Sequence, residues 1–200
     1  MQPEASIMEE LTAQARSLGA TAAVIIPAAS LVVEDRFAAL CGAPQRCPGY
    51  GLAPGCPPHA LHPSVFREQL RAYRHILVFK IDAPVADLMG AKRLPLARSI
   101  HRIAANLETT ARSRGMLQAR GLAAGSCKEL FCAAEIDCAV LNKQQPCRHP
   151  GLARPSISAL GVNFTALAQS LGWPFDKIDP DQAAKDAPVM GLMAGLVLLD

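Results

Sequence analysis

The sequence predicts an α/β protein with a single sheet of about four strands flanked by helices. Three observations point there. Short β-rich apolar runs alternate with stretches of helical periodicity. The order helix, strand, cysteine loop, helix, strand occurs twice. The chain has 200 residues, 50% of them hydrophobic, which is enough to bury a core without disulfides. A two-layer, ferredoxin-like α+β arrangement is the alternative.

The first helix runs from Ala5 to about Gly19, because Ile7, Leu11, Ala15 and Leu18 recur on one face. Ala22 to Ile26 reads as a short buried strand, and Leu31 to Val33 carries the apolar stretch towards the first cysteines. Pro63 and a cap at Ser64 start a helix over Val65 to Tyr73. Ile76 to Ile81 is β-rich and is expected as a central strand. Pro95 opens a long helix whose inner face carries Leu96, Ile100, Ile103, Ala104, Leu107 and Ala111. Gly115 ends it, and Met116 to Leu122 supplies the next strand. After the second cysteine loop, Pro155 and a cap at Ser156 start a helix to about Leu171. A polar linker and a terminal strand, Gly191 to Leu199, complete the order. If the strands after the first and third helices run parallel, both cysteine loops emerge at carboxyl ends of strands, where such sheets place their sites.

The cysteines repeat as well. Cys41, Cys47 and Cys56 form C-x5-C-x8-C, and Cys132, Cys138 and Cys147 form the same pattern. Cys56-Pro57-Pro58-His59 and Cys147-Arg148-His149-Pro150 follow the third cysteine of each set, and a Pro-Ser pair follows soon after. An internal duplication explains these coincidences, with halves of about 1–90 and 91–200 in one cysteine-rich metal-binding domain, 1–200. A pseudo-twofold would bring the two loops together.

Seven cysteines is an odd number, unlike a secreted disulfide framework, and in a reducing compartment clustered thiols bind metal or do redox chemistry. Cys127, Cys132, Cys138 and Cys147 supply four thiolates within 21 residues, enough for a complete [4Fe–4S] site. Cys41, Cys47 and Cys56 supply three, so their fourth ligand comes from His59, His62 or Cys127, or one iron stays open to solvent or substrate. All seven cysteines are therefore candidate cofactor and metal ligands, with His59 the weakest addition. Zinc is the competing metal, but neither group contains the C-x2-C knuckle usual in structural zinc sites. Lys128, Arg148 and Arg154 lie near the second group, where positive charge offsets that of thiolate and sulfide. Arg98, Arg102, Arg112 and Arg114 read as a solvated helix face, and His75 and His101 as ordinary structural or surface residues. The loop Gly49 to Gly55 lacks the following helix of a nucleotide-binding loop and reads as a tight wrap around a cluster.

Composition excludes several partners. The 20 Lys and Arg against 17 Asp and Glu leave a dispersed +3, and aromatics are 4%, which argues against nucleic acid. The N-terminal stretch carries acids where an export signal carries positive charge. The most apolar window, Val189 to Leu199, falls well short of the roughly 20 residues of a membrane-spanning helix. The expectation is a cytoplasmic protein with no nucleic-acid or membrane partner and with a protein redox partner.

The run Cys56-Pro57-Pro58-His59, the helix PSVFREQLRAY, and GSC followed by PCRHPGLARPSISALGVN resemble the family of predicted metal-binding proteins, domain of unknown function 2284. The resemblance extends from about Cys41 to the strand LVLLD and implies bound metal. The functions expected from the residues are iron–sulfur electron transfer or service as redox accessory to an oxygen-sensitive enzyme. Two alternatives are an enzyme with a substrate-accessible iron at the three-cysteine group and a zinc-stapled interaction protein. Whether the chain is an enzyme is left open.

Overall fold

A computed structural model describes residues 4–175 and 189–200. The elements run α1 (Glu4–Ser17), β1 (Ala22–Pro27), α2 (Asp35–Ala39), α3 (Pro63–Leu70), β2 (His75–Pro84), α4 (Val85–Met89), α5 (Arg93–Ser113), β3 (Arg120–Leu122), α6 (Cys127–Phe131), α7 (Ala139–Lys143), α8 (Phe164–Ser170) and β4 (Met190–Leu199). The polar linker expected before β4 lies, over 176–188, outside the described residues.

The four strands form one sheet in the order β1-β2-β4-β3, and every neighbouring pair is antiparallel. β1 and β3 therefore sit at opposite edges and run in opposite directions, which corrects the parallel arrangement considered from sequence. β2 and β4 pair over ten residues, His75↔Leu199 to Pro84↔Met190. Both read as near-continuous apolar runs because each is covered on two faces. Leu77, Phe79, Val197 and Leu199 face the helices α1 and α5. Ile76, Val78, Leu196 and Leu198 face Phe66 and Leu70 of α3 and Leu167 of α8. These three layers replace the two-layer ferredoxin-like alternative. Each fully buried Leu, Ile or Phe contributes about 1.5–3 kcal/mol, so the β2–β4 pair and its two covers are the main source of stability.

Gly195 lies opposite Phe79 in the ladder, and the Phe79 ring occupies the space a side chain at 195 would need. On α5, Ile100, Ile103, Ala104, Leu107 and Ala111 are buried as the periodicity predicts, but so are His101 and Glu108. Arg98, Arg112 and Arg114 do not form a free solvated face. They tie α5 to Leu130 O, Ala119 O and Glu10 respectively.

Three boundaries move for identifiable reasons. α3 is capped by the His62 ring, whose Nδ1 accepts the Ser64 N–H, rather than by Ser64 itself. β3 is shorter than expected because Met116 and Ala119 turn into the core and the Arg112 side chain holds the Ala119 carbonyl. The helix expected from Ser156 does not start there. Ala123 pairs with Pro155 and Ile157 through backbone hydrogen bonds of 2.8 and 2.9 Å, and a single 3₁₀ turn, Ser158–Leu160, follows. Gly161, at φ +80°, then breaks the run, and α8 begins only after Asn163, whose side chain caps Ala166 N–H.

Candidate metal centre

The second cysteine group is built on two short helices. Cys127 opens α6, Cys132 caps its C-terminus, Cys138 precedes α7 as its N-cap, and Cys147 follows in an extended loop. All four line one small cavity of about 30 Å³, walled also by Pro54, Phe131, Val140 and His149. The loop between them is pinned by cationic side chains. Lys128 Nζ donates to the carbonyls of Cys132 and Glu135 at 2.8 and 2.7 Å. Arg148 donates to Asp137 O at 3.1 Å and pairs with Glu135 at 3.2 Å. The His149 N–H points at Cys147 Sγ from 3.4 Å. Two of the cations expected near this group are therefore also structural clamps on its backbone.

The third cation, Arg154, is turned away from the thiols. Its Nε lies 2.8 Å from Glu108 Oε2, both side chains being 9% exposed. That nitrogen is off the line for a hydrogen bond, so the contact is chiefly charge, with Nη2 donating to Oε1 at 3.3 Å. Glu108 also accepts Gly121 N–H at 2.6 Å, which ties α5, β3 and the loop after Cys147 together. Beside this pair, His101 is fully buried. Its Nδ1 accepts Arg154 N–H at 3.1 Å, which leaves Nε2 to donate to Ala124 O at 3.2 Å. The His101 ring meets Phe131 edge-on at 5.4 Å, and Phe131 meets His149 at 5.8 Å, so the cavity wall rests on the core helix.

The first group folds as a chain of tight turns. Cys47 N–H reaches Cys41 O at 2.9 Å, and Gly51, at φ +77°, allows its N–H to reach Pro57 O at 2.7 Å. Cys41 and Cys47 line an open hollow of about 390 Å³ between Phe37, Leu40, Val162 and Phe164. Cys56 is buried, and its sulfur lies beside Gly49 and Ser126. Burial pushes the Cys41 thiol up, and neighbouring Cys47 and Cys56 add to the rise. Burial raises Cys56 as well, while the Ser126 hydroxyl beside it works in the other direction. Cys127 is pushed up to about 12, first by burial and then by Cys56, ahead of Cys147, Cys138 and Cys132. The two groups meet where Gly49 and Cys56 lie beside Ser126, the residue before Cys127.

Glycines make that meeting possible. A Cβ on Gly49 would fall 2.5 Å from Ser126 Cβ, and one on Gly55 would fall 2.8 Å from Pro155 Cα. Ser156 N–H bonds Gly55 O, and Val33 bridges Val162. His59 is exposed, and His62 uses its Nδ1 as the α3 cap, so the structure draws neither histidine into the thiols.

Among the described residues, no three His, Cys, Asp or Glu side chains converge tightly enough for one metal ion. The four thiols of the second group line one cavity. Such a donor set fits a polynuclear group, in which each thiolate bonds its own metal atom. A thiol held near 12 gives up its proton when a metal cation replaces it, which is the usual coupling of ligation to deprotonation. Sequence reasoning did not single out Pro54, Ser126, Phe131 or Glu108 as site residues, and it read His101 as ordinary. The Gly-Ser-Cys and Cys-Arg-His triplets were the available signals for Ser126 and His149.

An α/β scaffold that gathers four thiols of its second cysteine group around one small cavity fits a metal-binding class of protein. The chain belongs to the family of predicted metal-binding proteins, domain of unknown function 2284, whose model matches residues 24–199. No curated protein and no solved structure matches it. No helix among the described residues is long and apolar enough to cross a membrane.

Proposed function

We propose that Cys127, Cys132, Cys138 and Cys147 hold an iron–sulfur cluster of the [4Fe–4S] type. The protein then acts in electron transfer, or as redox accessory to an oxygen-sensitive enzyme, in the cytoplasm. The observation that carries this reading is that all four thiols line one cavity. Structural zinc draws its four ligands onto one ion, commonly from C-x2-C knuckles, and no C-x2-C occurs in the sequence, where the tightest pair is Cys127-x4-Cys132.

A bound cluster supplies reversible one-electron chemistry. The chain's own residues set its surroundings. Phe131, Val140 and Pro54 give the cavity apolar walls. The His149 N–H and the charges of Lys128 and Arg148 favour the reduced, more negative state. A protein redox partner is the expected recipient of the electron. All seven cysteines are free and so available as ligands.

The repeated halves belong to the same reading, with the whole chain acting as one metal-binding domain. The two cysteine sets share the spacing C-x5-C-x8-C, and the order β1-β2-β4-β3 is compatible with an exchange of β1 with β3 and β2 with β4 about an axis between the central strands.

The test is anaerobic purification followed by iron, sulfide and zinc analysis with optical and electron paramagnetic resonance spectra. Iron and acid-labile sulfide in similar amounts are expected, and Cys138→Ala should remove the signal of this cluster. Stoichiometric zinc without sulfide overturns the reading.

A further inference from the structure

The first cysteine group is left over once the second is assigned, and three features around it point to a ligand. Cys41 and Cys47 open onto the hollow of about 390 Å³, within the range of small-molecule sites. Its walls are chiefly apolar, and two of them, Phe37 and Leu40, belong to the helix end that leads directly into Cys41. Cys47 is exposed, so its sulfur is reachable from solvent. On the inner side, Ser126 is 4% exposed and its hydroxyl completes no hydrogen bond, although it lies beside Cys56. Leaving a buried hydroxyl without an acceptor costs about 1–3 kcal/mol, so such a group marks a missing acceptor. The missing side chain at Gly49 keeps open the space where Ser126 and the Cys56 sulfur face each other.

We propose that Cys41, Cys47 and Cys56 hold a second iron–sulfur cluster, with one iron open towards the hollow for a small ligand with an apolar body and one anionic, iron-ligating head. This rests on the iron–sulfur reading of the second group and extends it. Three thiolates leave one corner of a four-iron group without a protein ligand, and neither His59 nor His62 supplies it. The Ser126 hydroxyl donates a hydrogen bond to the thiolate of Cys56 or to an adjacent sulfide. It is a positioning residue, at the junction between the two groups. In the hollow, Phe164 and Phe175 stack edge to face at 5.0 Å and present an aromatic wall to the ligand body. Ligand binding is coordination only: the anionic head donates a lone pair to the open iron, and no electron or proton is consumed.

The experiment compares anaerobically reconstituted full-length wild type, Cys41→Ala/Cys47→Ala, Cys47→Ala alone and Leu40→Asp. It reads iron and sulfide per chain and then titrates benzenethiolate against the paramagnetic resonance spectrum. Loss of about half the iron in the double variant, with the second cluster's signal intact, supports the proposal. Full iron in both cysteine variants overturns the second site and leaves the first cluster standing. Absence of iron from reconstituted wild type overturns both readings. Benzenethiolate should shift the signal that the double variant lacks, saturably and without iron loss. Leu40→Asp, at an exposed position, should weaken that binding about tenfold, the worth of one apolar contact. An unshifted spectrum, or unchanged affinity in Leu40→Asp, overturns the open position.

Discussion

Replacing His101 with asparagine should flatten the acid limb of the stability curve. The imidazole is fully buried, and the Arg154 N–H already occupies the lone pair at Nδ1. Its pKa is lowered from 6.5 to about 4, first by burial, with the Arg154 charge contributing in the same direction. The carbonyls of Leu152 and Ala124 work the other way without winning. The unfolded chain takes up this proton below about pH 6.5, whereas the folded chain does so only near 4. The stabilisation is therefore complete above 6.5 and is lost as pH falls towards 4. The full loss is about 3 kcal/mol, and about 2 kcal/mol is already gone at pH 5. Urea unfolding followed by circular dichroism, run anaerobically from pH 5 to 8, gives both curves. Their difference cancels the titration of the thiol ligands. Asparagine keeps an acceptor for Arg154 N–H, so a general loss of stability is expected in addition to the change of slope. Equal slopes in the two proteins, or a His101 proton titrating near 6.5 by NMR, would refute the reasoning.

Glu108→Gln leaves the Arg154 guanidinium buried without a counter-charge and should cost about 3–5 kcal/mol by chemical denaturation, with the loop after Cys147 losing hydrogen-exchange protection first. Gly49→Ala forces a methyl against Ser126 and should cost about 1–3 kcal/mol and loosen the contact between the loops. Gly151→Ala, with open space at its Cβ, should be silent in the same melt. In the metal-free chain at pH 8, Cys127 should be alkylated far more slowly than exposed Cys47, as mass spectrometry of iodoacetamide time points would show. Alkylation of Cys127 ahead of Cys47 would contradict the burial assigned to it.

Much of the scaffold was legible because burial is written in periodicity. The five α5 positions from Ile100 to Ala111 face the sheet as predicted, and the unbroken run Ile76 to Ile81 gave away a strand covered on both sides. Strand direction was not legible. It depends on which edge each crossover reaches, and nothing local to β1 or β3 encodes that. The helix expected at Ser156 failed because a long-range pairing with Ala123 outcompeted a plausible cap. The grouping of Cys127 with Cys132, Cys138 and Cys147 could be read from proximity in sequence, and the cavity gathers the same four. The supports could not be read. His101 and Glu108 look like ordinary polar positions on a helix until Arg154, some fifty residues away, comes to lie beside them.

The position of β4 carries a consequence for the order of assembly. It is an inner strand, between β2 and β3, yet it follows all seven cysteines along the chain. During synthesis every thiol is made before the strand that joins β2 to β3. Until Met190–Leu199 has been translated, β3 has no partner and the platform beneath both loops is incomplete. Nascent thiols are then exposed to oxidants and to any passing metal.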